Sequence, residues 1–249
     1  MKLASKGFTI TFVITESIHQ QIATAQSLKD DNNPFSQGQK CGLDIRYAKI
    51  SDGFPLSFNR GANASQFVEG LIHVFQAHVD DFIENLVLSK PNPPISCRIA
   101  DSFHVWASTI AKKYNLVNTT FWTEPATVLT VYYHMDLLKR NGHFGRHDKR
   151  EDTIRYIPEI QAIERADLPS YCQDADPSSV MPHFVFKCLE DAQKADLVIG
   201  NTVQERESSY ISALQEKQTF YAIGPVFPTG FTKRTISTSL LPASSDYTD

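Results

Sequence analysis

The sequence predicts an α/β fold built on a doubly wound, mostly parallel sheet of the Rossmann-like kind. Short runs rich in Val, Ile, Phe and Thr alternate along the chain with stretches that carry apolar residues at helical spacing, and strands that alternate with helices pair in parallel. Gly, Pro, Asn and Asp bound these runs and punctuate regular structure rather than extend it. The 249 residues, 41% hydrophobic and 11% aromatic, suffice for a full core in one large α/β domain or two small ones.

Each element has its own signal. Residues 1–7 read as the last turn of a helix closed by Gly7, so the chain is expected to start inside a helix. Residues 8–15 form a strand by composition. Residues 17–28 are helix-like, 30–42 a polar loop, and 43–50 an alternating strand ended by Ser51, Asp52, Gly53, Phe54 and Pro55. Over residues 63–88 apolar residues recur at three- and four-residue spacing. That predicts one long helix, with Asn63 and Gln66 as its capping pair. Further strands are expected at 95–100, 116–122, 197–201 and 219–223. Helices are expected at 105–114, 125–141 (closed by Gly142), 180–194 and 205–215, with an extended segment over 157–169. Residues 228–249 are rich in Ser and Thr without periodicity and read as a linker or disordered tail. Residues 1–227 are then the domain.

The net charge of −4, with no long run of either sign, disfavours a nucleic-acid partner or an anionic membrane surface. Cys41, Cys97, Cys172 and Cys188 lack CxxC spacing and read as free thiols in a reducing, cytoplasmic setting. No apolar run approaches the ~20 residues of a membrane span, and residues 1–15 alternate too much for a secretory signal. Neither GxGxxG nor GxxxxGK[ST] occurs, so those phosphate-binding devices are absent. His143, His147 and Asp148 invite a metal reading. Gly142 and Gly145 break the helix that would align them, and no metal site is expected.

The stretch 95–125, ISCRIADSFHVWASTIAKKYNLVNTTFWTEP, is central to the chain. Two strands joined by a helix crossover end at the same crevice, so Asp101 and Thr123 are expected to face one cleft. Asp101 has two readings. It fills a helix N-cap well, which the local sequence favours, and a carboxylate at a strand end can also hold a histidine base. Ser102 lacks the GxSxG elbow of a nucleophile. His104 reads as a packed or exposed imidazole. Phe103, Trp106, Trp122, Tyr132 and Tyr133 suit an apolar pocket or simply the core.

The ordered segments KLASKGFTITFVITE, SDGFP, IADSFHVWASTIAKKYNL, FWTEPATVLTVYYH, IPEIQAIERADLPS, ADLVIGNTVQERE and YAIGPVFP resemble the N-terminal half of plant family 1 UDP-sugar-dependent glycosyltransferases, enzymes of the two-domain GT-B fold. The resemblance implies inverting transfer of a sugar, glucose as the prior, from a UDP-sugar to a hydroxyl of a small lipophilic acceptor, without a metal or other cofactor. It makes Asp101 the carboxylate that orients the histidine base. It gives Thr123 a contact to the sugar donor and makes Phe103, Trp122, Glu124 and Tyr132 the acceptor-binding residues. The family's GH-x-x-P histidine, its first strand and its tryptophan-led donor domain have no counterpart here. The chain is therefore expected to be a truncated acceptor domain, inactive alone. The alternatives are a non-catalytic small-molecule-binding fragment or an incomplete gene model.

Overall fold

The computed structural model describes residues 2–25, 33–145, 150–173, 176 and 179–224. The predicted tail 228–249, the end of the predicted helix 17–28, and His147 with Asp148 lie outside the described residues. Two compact units divide the chain. One is drawn from residues within 1–59 and 77–93, the other from residues within 60–76 and 94–224.

In the first unit, Gly7 (φ 89°) closes a short 3-10 turn, Ala4–Lys6, by donating its N–H to the Ala4 carbonyl. Its positive φ is a conformation that glycine adopts without steric penalty. Strands β1 (Ile10–Thr15) and β2 (Ile45–Ile50) pair in parallel, Ile10 opposite Ile45 and Thr15 opposite Ile50. Helix α1 (Glu16–Ala25) follows β1 directly. The expected loop over 30–42 contains a short helix, α2 (Ser36–Lys40), ended by the Cys41 N–H bonding back to the Gln37 carbonyl. Where the strands end, Ser17 Oγ donates to Asp52 Oδ2 at 3.1 Å, and both residues are buried.

The long helix expected over 63–88 is two helices, α3 (Ala64–His73) and α4 (Phe75–Leu88), parted at Val74. Gly70, one turn before the break, lowers helix propensity by ~1 kcal/mol relative to alanine. Asn63 occupies the N-cap position, as predicted, without a side-chain capping bond.

The second unit holds a four-stranded parallel sheet of β3 (Cys97–Asp101), β4 (Val117–Trp122), β5 (Leu197–Gly200) and β6 (Phe220–Ala222), in that order. The fold is thus parallel α/β, as predicted, with the described strands in two sheets. Helix α5 (Ala107–Lys113) crosses from β3 to β4. It stops because Asn115 takes a left-handed conformation (φ 52°) and Leu116 N donates to Ala111 O at 2.9 Å. This closure satisfies the last carbonyls and turns the chain into β4.

The helix expected over 125–141 is also divided, into α6 (Ala126–Tyr133) and α7 (Met135–Arg140), with His134 between them. Gly142 (φ 72°) ends the second as predicted, with His143 N bonded to Leu138 O at 3.0 Å. Residues 157–169, read as extended, include one half of an antiparallel bridge, Ile154 to Ile163, and a 3-10 turn at Arg165–Asp167. Helices α8 (Ser170–Gln173), α9 (Val180–Gln193) and α10 (Ser208–Lys217) complete the unit.

Its core joins α6, α7, α10 and the sheet through Leu129, Leu138, Val198, Ile211, Leu214 and Phe220, none more than 1% exposed. A smaller cluster packs Val68 and Ile72 of α3 on Phe184 and Cys188 of α9. The four cysteines are free, as predicted. Among the described residues no helix is long and apolar enough to cross a membrane.

Candidate functional site

β3 and β4 end side by side. Asp101, the last residue of β3, pairs with Phe121, and Ser102 N extends the ladder to Phe121 O at 3.0 Å. β4 stops at Trp122, whose carbonyl accepts Asn201 N at 2.9 Å. Thr123 leaves the sheet from there, so the carboxyl ends of neighbouring parallel strands present Asp101 and Thr123 together, the usual place for ligands of such sheets.

Asp101 is not a helix N-cap. That position, at the head of α5, belongs to Trp106. The Asp101 carboxylate instead accepts the Phe103 N–H at 2.9 Å in a local turn, and its carbonyl accepts His104 N at 3.1 Å. A side-chain turn of this kind competes with helix entry, which is why the helix starts later. Burial pushes the Asp101 carboxyl above the usual carboxylate range, and the Phe103 N–H only partly opposes this.

A recess of about 320 Å³, part of it open to solvent, lies against these strand ends and is lined by Phe103, Trp122, Thr123, Glu124 and Tyr132. Asp101 is not itself in the lining; its neighbour Ser102 is. Trp122 and Tyr132 are buried, with their rings edge to face at 6.1 Å and 81°, and Trp122 Nε1 donates to Pro125 O at 3.3 Å. Phe103 stacks on Phe184, with centroids 5.7 Å apart and planes 6° from parallel, while 43% of it stays exposed. Burial raises the Glu124 carboxyl. Burial first, and then the Glu124 charge, push the Tyr132 hydroxyl far above its ordinary range.

Three further lining residues, Tyr171, Val185 and Cys188, did not emerge from the sequence. Val185 and Cys188 are one helical step apart on α9, so their sharing a face was legible. Which strand end that face covers depends on packing between segments far apart in the chain.

The loop that carries Thr123 and Glu124 is held from below by Glu207, which the sequence had not singled out. Its Oε2 accepts Ala126 N at 3.0 Å and its Oε1 accepts Thr127 N at 2.9 Å. Thr127 Oγ1 and Thr202 Oγ1 also donate to it. A carboxylate from 80 residues away thus caps α6, satisfying N–H groups that the helix itself cannot. Burial works to raise the Glu207 carboxyl, but these hydrogen bonds outweigh it and leave the group below its ordinary range.

No protein-family model matches the chain. UDP-glycosyltransferase 86A1 of Arabidopsis thaliana is 53% identical over 254 residues, which take in 100% of this chain and 51% of the relative. UDP-glycosyltransferase 86A2 of the same plant is 45% identical over 241 residues, 96% of this chain and 49% of the relative. The chain is similar over its whole length to plant UDP-glycosyltransferases. It spans about half the length of the curated relatives it matches. The crystal structure of Os79 from O. sativa in complex with UDP superposes with a TM-score of 0.66 over 92% of this chain and 48% of that one, at 18% identity. That likeness fixes the fold as the N-terminal half of a GT-B architecture.

Two of the glycosyltransferase-like segments, FWTEPATVLTVYYH and ADLVIGNTVQERE, are therefore joined physically, because Glu207 of the second, itself held by Thr202, accepts the first N–H groups of α6 in the first. Two of the described histidines are engaged in the protein's own packing and hydrogen bonds. His104 packs between Phe75 and Trp106, with centroids at 5.7 and 5.2 Å. Burial, followed by the Arg98 charge, lowers its pKa to about 4, so the ring is neutral at physiological pH. His143 is fully buried, with Tyr156 OH 2.9 Å from Nδ1 and the Asp152 carbonyl 3.2 Å from Nε2. Among the described residues no group of His, Cys, Asp or Glu is placed to hold a metal ion.

Proposed function

We propose that this chain is the acceptor-binding part of a cytoplasmic UDP-glycosyltransferase. Such an enzyme transfers a sugar, glucose by family likeness, from a UDP-sugar to a hydroxyl of a small lipophilic plant metabolite, with inversion and without a metal. Residues 1–227 form the acceptor domain. Asp101 orients the histidine that deprotonates the acceptor, Thr123 contacts the donor sugar, and Phe103, Trp122, Glu124 and Tyr132 hold the acceptor. The observation that carries this reading is the convergence of five of those residues on one recess beside Asp101, at adjacent strand ends.

Alone, the chain binds acceptors without turning them over. Among the described residues the Asp101 carboxylate meets a backbone N–H and no imidazole. Without a base the attacking hydroxyl is not activated, and general-base assistance is typically worth about 10²–10⁴-fold in rate. The test is calorimetry of the folded chain against a panel of hydroxylated aromatic and terpenoid compounds, together with an assay for turnover of UDP-glucose. Heat with some acceptors and no turnover are expected. A folded chain that binds none of them would sink the acceptor-domain reading, and turnover by the chain would sink its inactivity.

A further inference from the structure

Three carboxylates stand at or behind this strand end, and two of them are committed to the protein. Asp101 accepts Phe103 N. Glu207 accepts from Ala126, Thr127 and Thr202. The third, Glu124, is half-buried and lines the recess. Among the described residues nothing donates a hydrogen bond to it. Its neighbours there are mainly aromatic rings, Val185 and Cys188, and it is the one carboxylate in the lining. The surroundings disfavour its charge, as the upward push on its own carboxyl by burial and its effect on Tyr132 and Cys188 indicate. A ligand that fills the recess strips water from this group. An apolar ligand leaves it unsatisfied, at an energetic penalty. A ligand with a donor at that point replaces the lost water with a charge-assisted bond.

We propose, resting on the acceptor-site reading above, that Glu124 selects the acceptor. The preferred acceptors carry a second hydrogen-bond donor, a hydroxyl or an amine N–H, besides the hydroxyl to be glycosylated, and Glu124 accepts from that second donor. A site built to bond such a group discriminates strongly against the analogue that lacks it.

The test uses four probes of nearly one size: 4-hydroxybenzyl alcohol and 4-aminobenzyl alcohol, which carry the second donor, and 4-methoxybenzyl alcohol and 4-methylbenzyl alcohol, which do not. Each is titrated into the full chain by calorimetry or ligand-observed NMR, with the wild type and with Glu124→Gln, Glu124→Ala and Phe103→Ala. The wild type is expected to bind a donor-bearing probe at least about tenfold more tightly than the methoxy and methyl compounds. Whichever of the hydroxyl and amine probes binds more tightly names the preferred donor. The ratio should collapse towards one in Glu124→Ala and shrink in Glu124→Gln. Phe103→Ala should weaken all four probes alike. A wild-type ratio within twofold, or a ratio that survives Glu124→Ala in a folded protein, overturns the role of Glu124 and leaves the acceptor site standing. Binding of no probe to the folded wild type overturns both.

Discussion

Asp101 sits in a position that a protein optimised for stability alone would not choose. Its carboxyl is pushed up mainly by burial, and a single backbone N–H offsets this in part. Because the folded-state pKa lies above the unfolded one, the folded form is penalised once the group ionises. The penalty is present at neutral pH and vanishes below the ordinary carboxylate range. Asparagine keeps the oxygen that accepts Phe103 N and carries no charge. Asp101→Asn is therefore expected to raise Tm at pH 7 and to match the wild type at about pH 3. Thermal melts of both proteins at the two pH values check this, and an unchanged or lower Tm at pH 7 would remove the argument that the site holds a carboxylate at the expense of stability. Local sequence favoured a helix cap for Asp101, and the family resemblance made it a site residue. The structure eliminates the cap, since the Phe103 N–H takes the carboxylate before the chain enters α5.

Elements depend on partners distant in sequence. The start of α6 has no capping side chain of its own, because Pro125 holds its N-cap position, so Glu207 satisfies the first N–H groups across the fold. Glu207→Ala should destabilise the chain by about 1–2 kcal/mol, the usual size of a lost cap, read as a shift in urea midpoint without a change in slope. The sign of the pH effect follows from the lowered carboxyl. The stabilisation is present above the ordinary glutamate range and is lost as pH falls through the lower folded-state value. The acid limb of the stability profile should flatten in Glu207→Gln. Helix periodicity gave the extents of α9 and α10 to within a few residues but joined α3 to α4 and α6 to α7. Both breaks occur at a single residue, Val74 and His134, inside runs whose apolar spacing continues across them, so spacing alone cannot reveal them.

The stability of the larger unit rests on side chains with almost no exposure. Leu214 of α10 is 0% exposed and packs in the same cluster as Leu129, Val198 and Phe220. Truncating it to alanine leaves a cavity, and about 2–5 kcal/mol should be lost, a large part of the 5–15 kcal/mol typical of a domain. Equilibrium urea unfolding of Leu214→Ala against the wild type tests this, and a loss well under 1 kcal/mol would show that the cluster does not carry the fold. The alternation of strands and helices, the parallel class and the positions of Asp101, Thr123, Glu124 and Tyr132 were legible in residue order. The alternation, the parallel class and the facing of Asp101 and Thr123 follow from local composition, periodicity and turn chemistry, while the ordered motifs supplied the resemblance and, through it, Glu124. The division of the described strands between two sheets, the seating of α9 with Val185 and Cys188 on the recess, and the capture of α6 by Glu207 were not. Each is a contact between segments tens of residues apart, chosen by packing and hydrogen-bond satisfaction in three dimensions. Glu124 accordingly enters from the sequence only through the resemblance carried by the ordered motifs, and in the fold as the one carboxylate among the residues that line the recess.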